Sequence, residues 1–111
     1  MSIEYIDLGK DYSKHLGPRY KRDGNNSGEQ FREKVLEPAF LNHDQVVVNL
    51  DSIVGYSASF LEEAFGGLVR KHGLSSVQEK VRFDTIKRLY LVPLIESWMK
   101  DASHSSSKQS R

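Results

Sequence analysis

The sequence predicts an α/β fold, with a small mixed sheet and helices packed mainly on one side. Three observations predict it. Gln45 to Leu50 is a continuous run centred on Val46-Val47-Val48, β-branched and apolar as in a strand buried on both faces. Two stretches, opening at Ser27 and Ser59, pair a helix-start signature with apolar residues at helical spacing. Ile3 to Leu8 alternates, as a strand at a sheet edge does. Helices between strands make the central strands parallel.

The elements follow in chain order. Ile3, Tyr5 and Asp7 share one side of the first strand, and Glu4, Ile6 and Leu8 the other. Gly9 to Asn26 is rich in Gly, Lys, Arg, Asp and Asn, with turn signals at Gly17-Pro18 and Asp23-Gly24-Asn25-Asn26. Between those turns, Arg19-Tyr20-Lys21-Arg22 reads as a short second strand or as loop. Ser27-Gly28-Glu29-Gln30 fits a capping box, and Phe31, Val35, Leu36 and Phe40 form the apolar stripe of the helix it opens. Pro38 is expected to kink or end that helix, because it lacks a backbone donor and crowds the preceding turn.

After the valine strand, Ser59-Phe60-Leu61-Glu62 reads as a second capping box, with Ser59 as N-cap. Phe60, Ala64 and Leu68 make one apolar row, and Leu61, Phe65 and Val69 the next. Gly66-Gly67 costs this helix roughly 1 kcal/mol per glycine relative to alanine. Close approach of the helix backbone to the sheet or a partner is the expected compensation. Gly73 stops the helix, with Lys71 and His72 at the negative end of its dipole. Val81-Arg82-Phe83 is a further short strand. Asp84 then caps a segment with Ile86, Tyr90, Leu94 and Trp98 at intervals of four, bent by Pro93 and ending near Lys100. On this reading Trp98 packs in the core or over the sheet edge.

With 111 residues the chain is one domain, spanning 1–101. Residues 102–111 contain one small apolar residue and are expected to be a disordered polar tail that adds nothing to the core. The balance of 16 Lys+Arg against 15 Asp+Glu leaves a net charge of +1, without the excess that a duplex-coating protein carries. Absence of cysteine excludes disulfides, thiolate metal sites and a cysteine nucleophile. His15, His43, His72 and His104 have no metal-ligand spacing, and no cofactor motif is legible. Glu62 and Glu63 are adjacent on a helix and point about 100° apart, which suits surface carboxylates better than a catalytic pair. The expectation is a non-enzyme without cofactor or metal. No basic start, apolar signal core or membrane-length run is present, so the chain is read as cytoplasmic.

The stretch Leu50-Asp51-Ser52-Ile53-Val54-Gly55-Tyr56-Ser57-Ala58-Ser59-Phe60-Leu61 resembles the central segment of STAS domains, the fold of the anti-sigma-factor antagonists. In those, a strand and loop lead to Asp-Ser-Ser-Gly-Leu at a helix start. Laid without gaps, Leu50 falls on the strand-end leucine, Ser57 on the Asp, Ala58 and Ser59 on the two serines, and Leu61 on the leucine. Ser57 and Phe60 depart from the pattern. Gly17-Pro18-Arg19-Tyr20, Ser27-Gly28 with Phe31-Arg32-Glu33, and Ser59 to Leu68 are similar to a bacterial group of STAS-like domains of unknown function.

The resemblance implies a non-catalytic protein-interaction module in a bacterial partner-switching pathway. Its implied partner is a histidine-kinase-like ATPase or another signalling protein, and Ser59, with Ser57 beside it, takes the phosphoacceptor position. Gly55, Tyr56, Ser57, Ser59, Phe60, Glu62 and Glu63 form the expected contact face, on a monomer or weak homodimer. A phosphate on Ser59 would meet the donors and positive dipole end of a helix N-terminus. The competing reading of Ser59 is a cap alone. The competing function is nucleic-acid or anionic-ligand binding through Arg19, Lys21 and Arg22, beside the turn Gly24 to Gly28. That segment lacks the Gly-Lys-Ser/Thr end of a P-loop, and Asp23, Glu29 and Glu33 dilute its charge.

Overall fold

In the computed structural model, which describes residues 2–109 and side chains through residue 104, three strands form one sheet in the order β1-β2-β3. β1 is Ile3–Asp7, β2 is Gln45–Asn49 and β3 is Val81–Phe83. Both pairings are parallel, with Ile6 beside Val48 and Val48 beside Phe83. The α/β class holds, and the chain reaches each new strand through helices, as parallel pairing requires. The sheet is parallel throughout rather than mixed, because Arg19–Arg22 forms no strand. It is loop running into one 3₁₀ turn, Lys21–Asp23.

Alternation sorts the two faces. Ile6, Val46, Val48 and Val81 are buried beneath the helices. On the other face Tyr5 is 67% exposed, in register with Val47 and Arg82. Val47 is half-buried, so β2 is sealed on one face rather than on both.

The single turn α1 (Leu8–Asp11) follows β1. Helix α2 runs over residues 28–42, and the Ser27 hydroxyl accepts the Gln30 N–H at 3.0 Å, as the capping box requires. Pro38 neither ends nor breaks this helix. The turn before it, Arg32–Leu36, is widened into a π-turn in which the Glu37 N–H reaches the Arg32 carbonyl. Pro38 thereby enters the first turn of the next α-helical segment, Glu37–Asn42, where a missing donor costs little.

Helix α3, residues 58–72, starts two residues earlier than its sequence suggests. Ser57 is the N-cap, in extended geometry, and its hydroxyl accepts the Phe60 N–H at 3.3 Å; Ser59 already lies in the first turn. This helix also contains a π-turn, Glu62–Gly66. Within the domain, what comes close to its glycines is helix side chains and not the sheet. A Cβ on Gly67 would collide with the Arg32 guanidinium, and one on Gly66 would meet the Glu62 carboxylate at 2.5 Å and the Ala102 methyl at 3.4 Å. Gly73, at φ +91°, ends the helix as expected.

Helix α4 (Leu74–Lys80), for which the sequence offered no reading, seats Val77 in the core and leads into β3. The last helix departs furthest from expectation. Residues 84–86 are loop and residues 87–90 turn, and α5 begins at Leu91 and continues to Gln109. Its buried row is Leu91, Ile95, Met99 and Ala102. Ile86, Tyr90 and Leu94, expected on the packed face, are 84%, 51% and 39% exposed, and Trp98 is half-buried against the core margin. Ala102, expected to begin the disordered tail, is a core residue. The end of that tail, Ser110 and Arg111, lies outside the described residues.

Phe31, Phe60 and Phe65 sit at the centre of the core, with Phe31 and Phe60 stacked at 5.8 Å between α2 and α3. Among the described residues no helix is long and apolar enough to cross a membrane.

Candidate functional site

Three loops meet at the carboxyl ends of the strands, where open α/β sheets place their functional groups. The middle one, from Leu50 to Tyr56, is fixed on both sides. On the β1 side, the Ser52 hydroxyl donates to the Asp7 carboxylate, and the Val54 N–H donates to the Lys14 carbonyl at 2.8 Å. On the β3 side, the Asp51 carboxylate accepts the Thr85 hydroxyl, the Ile86 N–H at 3.0 Å and the Lys87 N–H at 2.8 Å. The Thr85 hydroxyl, with the backbone amides that follow it, holds the Asp51 carboxyl below its ordinary value. Asp51, not Asp84, organises the turn after β3. Arg88 adds a second brace, donating to the Ile53 carbonyl at 2.9 Å and to the Tyr90 hydroxyl at 3.1 Å.

This bracing brings two exposed segments together. Tyr56 meets Tyr90 edge-on at 6.3 Å. On the segments that this contact joins, Val54, Tyr56, Ile86, Leu89, Tyr90 and Leu94 all expose apolar surface. Single exposed apolar residues mean little, but several on two segments in contact are uncommon on a domain surface. Ile86, Tyr90 and Leu94 were not expected here, because their spacing of four reads as a packed stripe. The better guide is the competing row Leu91, Ile95, Met99 and Ala102, which leaves Pro93 on the outside.

The serines border this surface. Ser57 and Ser59 are both half-buried, with their hydroxyls 3.3 Å apart. Gly55 (φ +65°) and Tyr56 are exposed ahead of them. Phe60, expected in the contact face, is fully buried against Phe31, because it occupies the inward row of α3.

Glu62 and Glu63 serve the interior of the protein. The Arg19 guanidinium contacts the Glu62 carboxylate, and Arg70 donates to it at 2.7 Å. Burial pushes the Glu62 carboxyl up, but hydrogen bonds from Arg70 and Arg19 outweigh it and hold the group below its ordinary value. Glu63 is buried and pairs with buried Arg32 at 2.5 Å, where the two π-turns face each other. Glu63 therefore offers a partner no contact surface. Glu62 does not form the expected capping box, since the cap is at Ser57.

The same network engages the basic segment. Arg19 is held by Glu62, with Glu63 at 3.6 Å, and Lys21 donates to Glu33 at 2.6 Å. That bond raises the Lys21 ammonium above its ordinary value and lowers the Glu33 carboxyl. Arg22 lies over the Tyr20 ring at 4.7 Å. Three guanidinium groups (Arg19, Arg32 and Arg70) thus converge on two carboxylates inside the domain. Among the described residues, no group of three or more His, Asp or Glu side chains is placed to hold a metal.

Residues 27–87 match the family described as a STAS-like domain of unknown function. The match covers more than half of the chain, which belongs to that family. No curated protein and no solved structure matches the chain.

Proposed function

We propose that this STAS-like domain is a non-catalytic protein-interaction module whose docking face is the braced apolar surface from Val54 to Tyr56 and from Ile86 to Leu94. Ser57 and Ser59 stand at its border as the switch position. One observation carries the reading. The Tyr56–Tyr90 contact joins two loops into an exposed apolar cluster directly ahead of the serines. The bonds from Asp51 and Arg88 support it, because a surface held in its bound form loses little entropy on docking.

The partner is a signalling protein, and by the family resemblance an ATPase of the histidine-kinase-like type in a bacterial regulatory pathway. Phosphorylation of Ser59 would add a charge of about −1.5 to −2 beside the apolar cluster, at a helix start that tolerates it. Docking would weaken while α3 stays folded. The anion-binding alternative gains no support, since Arg19 and Lys21 are engaged by carboxylates.

Affinity capture from the source lysate tests the reading. The wild-type chain is compared with Tyr56→Ser/Leu89→Ser, with Ser59→Asp and with Arg22→Ala. A captured ATPase or other signalling protein that is lost with the first two variants and kept with Arg22→Ala is the expected result. Loss with Arg22→Ala alone would transfer the function to the basic segment. Incubating the captured ATPase with the chain and ATP, followed by mass spectrometry, then identifies the modified serine.

A further inference from the structure

We infer that the free edge of β3 is a second docking site, which takes an extended segment of a partner protein as a fourth, parallel strand with an acidic residue opposite Arg82. The site lies along the side of the sheet, apart from the loop face that carries Ser57 and Ser59.

β3 is the last strand of the sheet and pairs only with β2. Along a strand, successive residues aim their backbone groups at opposite edges. The Asp84 N–H donates to the Val48 carbonyl at 3.0 Å, so the backbone groups of Arg82 and Asp84 face β2. Those of Val81 and Phe83 face outward. The Val81 N–H is taken by the Val77 carbonyl at the end of α4. The Val81 carbonyl and the N–H and carbonyl of Phe83 have no hydrogen-bond partner among the described residues. Unpaired edge groups in this arrangement are a template for another strand.

A groove of about 410 Å³ runs beside that edge. Val81, Phe83, Val92 and Met99 supply its apolar wall, and Gln78 and Glu96 its polar rim. The groove stays open because α5 packs mainly on α3 and does not close over β3.

The chemistry of the occupant follows from the ladder. In a parallel pair, the residue opposite Arg82 donates its N–H to the Val81 carbonyl and accepts the Phe83 N–H through its own carbonyl. Its side chain shares the open face with Arg82, which is exposed and has no carboxylate partner among the described residues. An Asp or Glu there forms a cross-strand charge pair. The residues on either side point into the groove and are apolar. The recognised pattern is apolar–acidic–apolar.

A second copy of this chain fits less well. Two β3 edges would meet antiparallel about a two-fold axis, and the register that pairs all three residues sets Arg82 against Arg82. Like charges directly opposite destabilise the pair.

The probe is an acetylated heptapeptide alternating threonine and valine, with valines on both sides of a central aspartate, titrated into the isotope-labelled full chain. The expected result is saturable amide shifts over Val81–Asp84 and slowed hydrogen exchange at Phe83. A peptide with central lysine should bind about fivefold more weakly, and Arg82→Glu should reverse that preference. N-methylation of the central residue should abolish binding. Circular dichroism of Arg82→Glu, an exposed substitution, reports that the fold is intact. Absence of saturable shifts at residues 81–84, shifts confined to residues 54–56, an unchanged preference in Arg82→Glu, or a dimer that the peptide displaces would each overturn the proposal.

Discussion

The Asp51 carboxylate, just past the end of β2, accepts the backbone N–H of Lys87 at 2.8 Å, so one side chain ties the loop ahead of α3 to the turn ahead of α5. The apolar surface depends on that tie, because neither loop has a helix or strand of its own to hold it. Placing the acceptor two residues past the end of β2, the central strand, lends loop geometry the rigidity of the sheet.

Replacing Asp51 with alanine should release the turn while leaving the sheet in place. Hydrogen exchange at Ile86 and Lys87 is expected to accelerate, with Val46 and Val48 still protected. The Tyr56–Tyr90 contact should loosen in parallel, seen as averaging of the tyrosine ring signals. Unchanged exchange at Lys87 would mean that the turn is held by something other than this carboxylate.

The two serines separate on stability. Ser57→Ala removes the hydroxyl that satisfies the Phe60 N–H and should cost about 1 kcal/mol in urea denaturation. Ser59→Ala, in the first helical turn, should stay within about 0.5 kcal/mol. The reverse order would restore the cap to Ser59, where the sequence pattern puts it.

What was legible in the sequence was what a local pattern decides. Val46 to Val48 reads as a strand because β-branching and apolarity agree, and Ser27 reads as a cap because nothing nearby competes. Ser57 and Ser59 compete for one role, and the capping-box pattern chose the wrong serine because Glu62 at its third position is engaged by Arg19 and Arg70, residues distant in sequence. Ile86, Tyr90 and Leu94 fit the period of a packed helix face and face solvent instead. Whether an apolar row points in or out is a tertiary fact when two such rows overlap on one segment. The Asp51 tie was illegible for the same reason, since its partners lie more than thirty residues away.

The buried pair Arg32–Glu63 should reveal itself through asymmetry. Glu63→Met leaves the Arg32 guanidinium buried without its carboxylate, at an expected cost of about 3–5 kcal/mol. Arg32→Met/Glu63→Met should cost less than the single substitution, because no uncompensated charge remains. Equilibrium urea unfolding of both variants checks this. A double variant less stable than Glu63→Met would make the pair a net source of stability rather than a fixed point that positions α2 on α3.

Acid should loosen the same helix junction through Glu62. Hydrogen bonds from Arg70 and Arg19 hold its native carboxyl below the ordinary value of 4.5, overcoming the upward push of burial. The unfolded chain therefore binds this proton more readily than the native one, and stability rises with pH wherever the two differ. The contribution is fully present above the unfolded value and is lost as pH falls through the lower native value. Arg70, raised by the same carboxylate, stays charged in both states across this window and adds no slope. Wild type should lose urea resistance between about pH 6 and pH 3 more steeply than Glu62→Gln, and the two curves should converge at the acid end. Glu37, also held low against the push of burial by its bonds to His72 and Lys71, keeps some slope in both proteins. Parallel curves over that range would show that Arg19 and Arg70 do not hold Glu62 in its charged form.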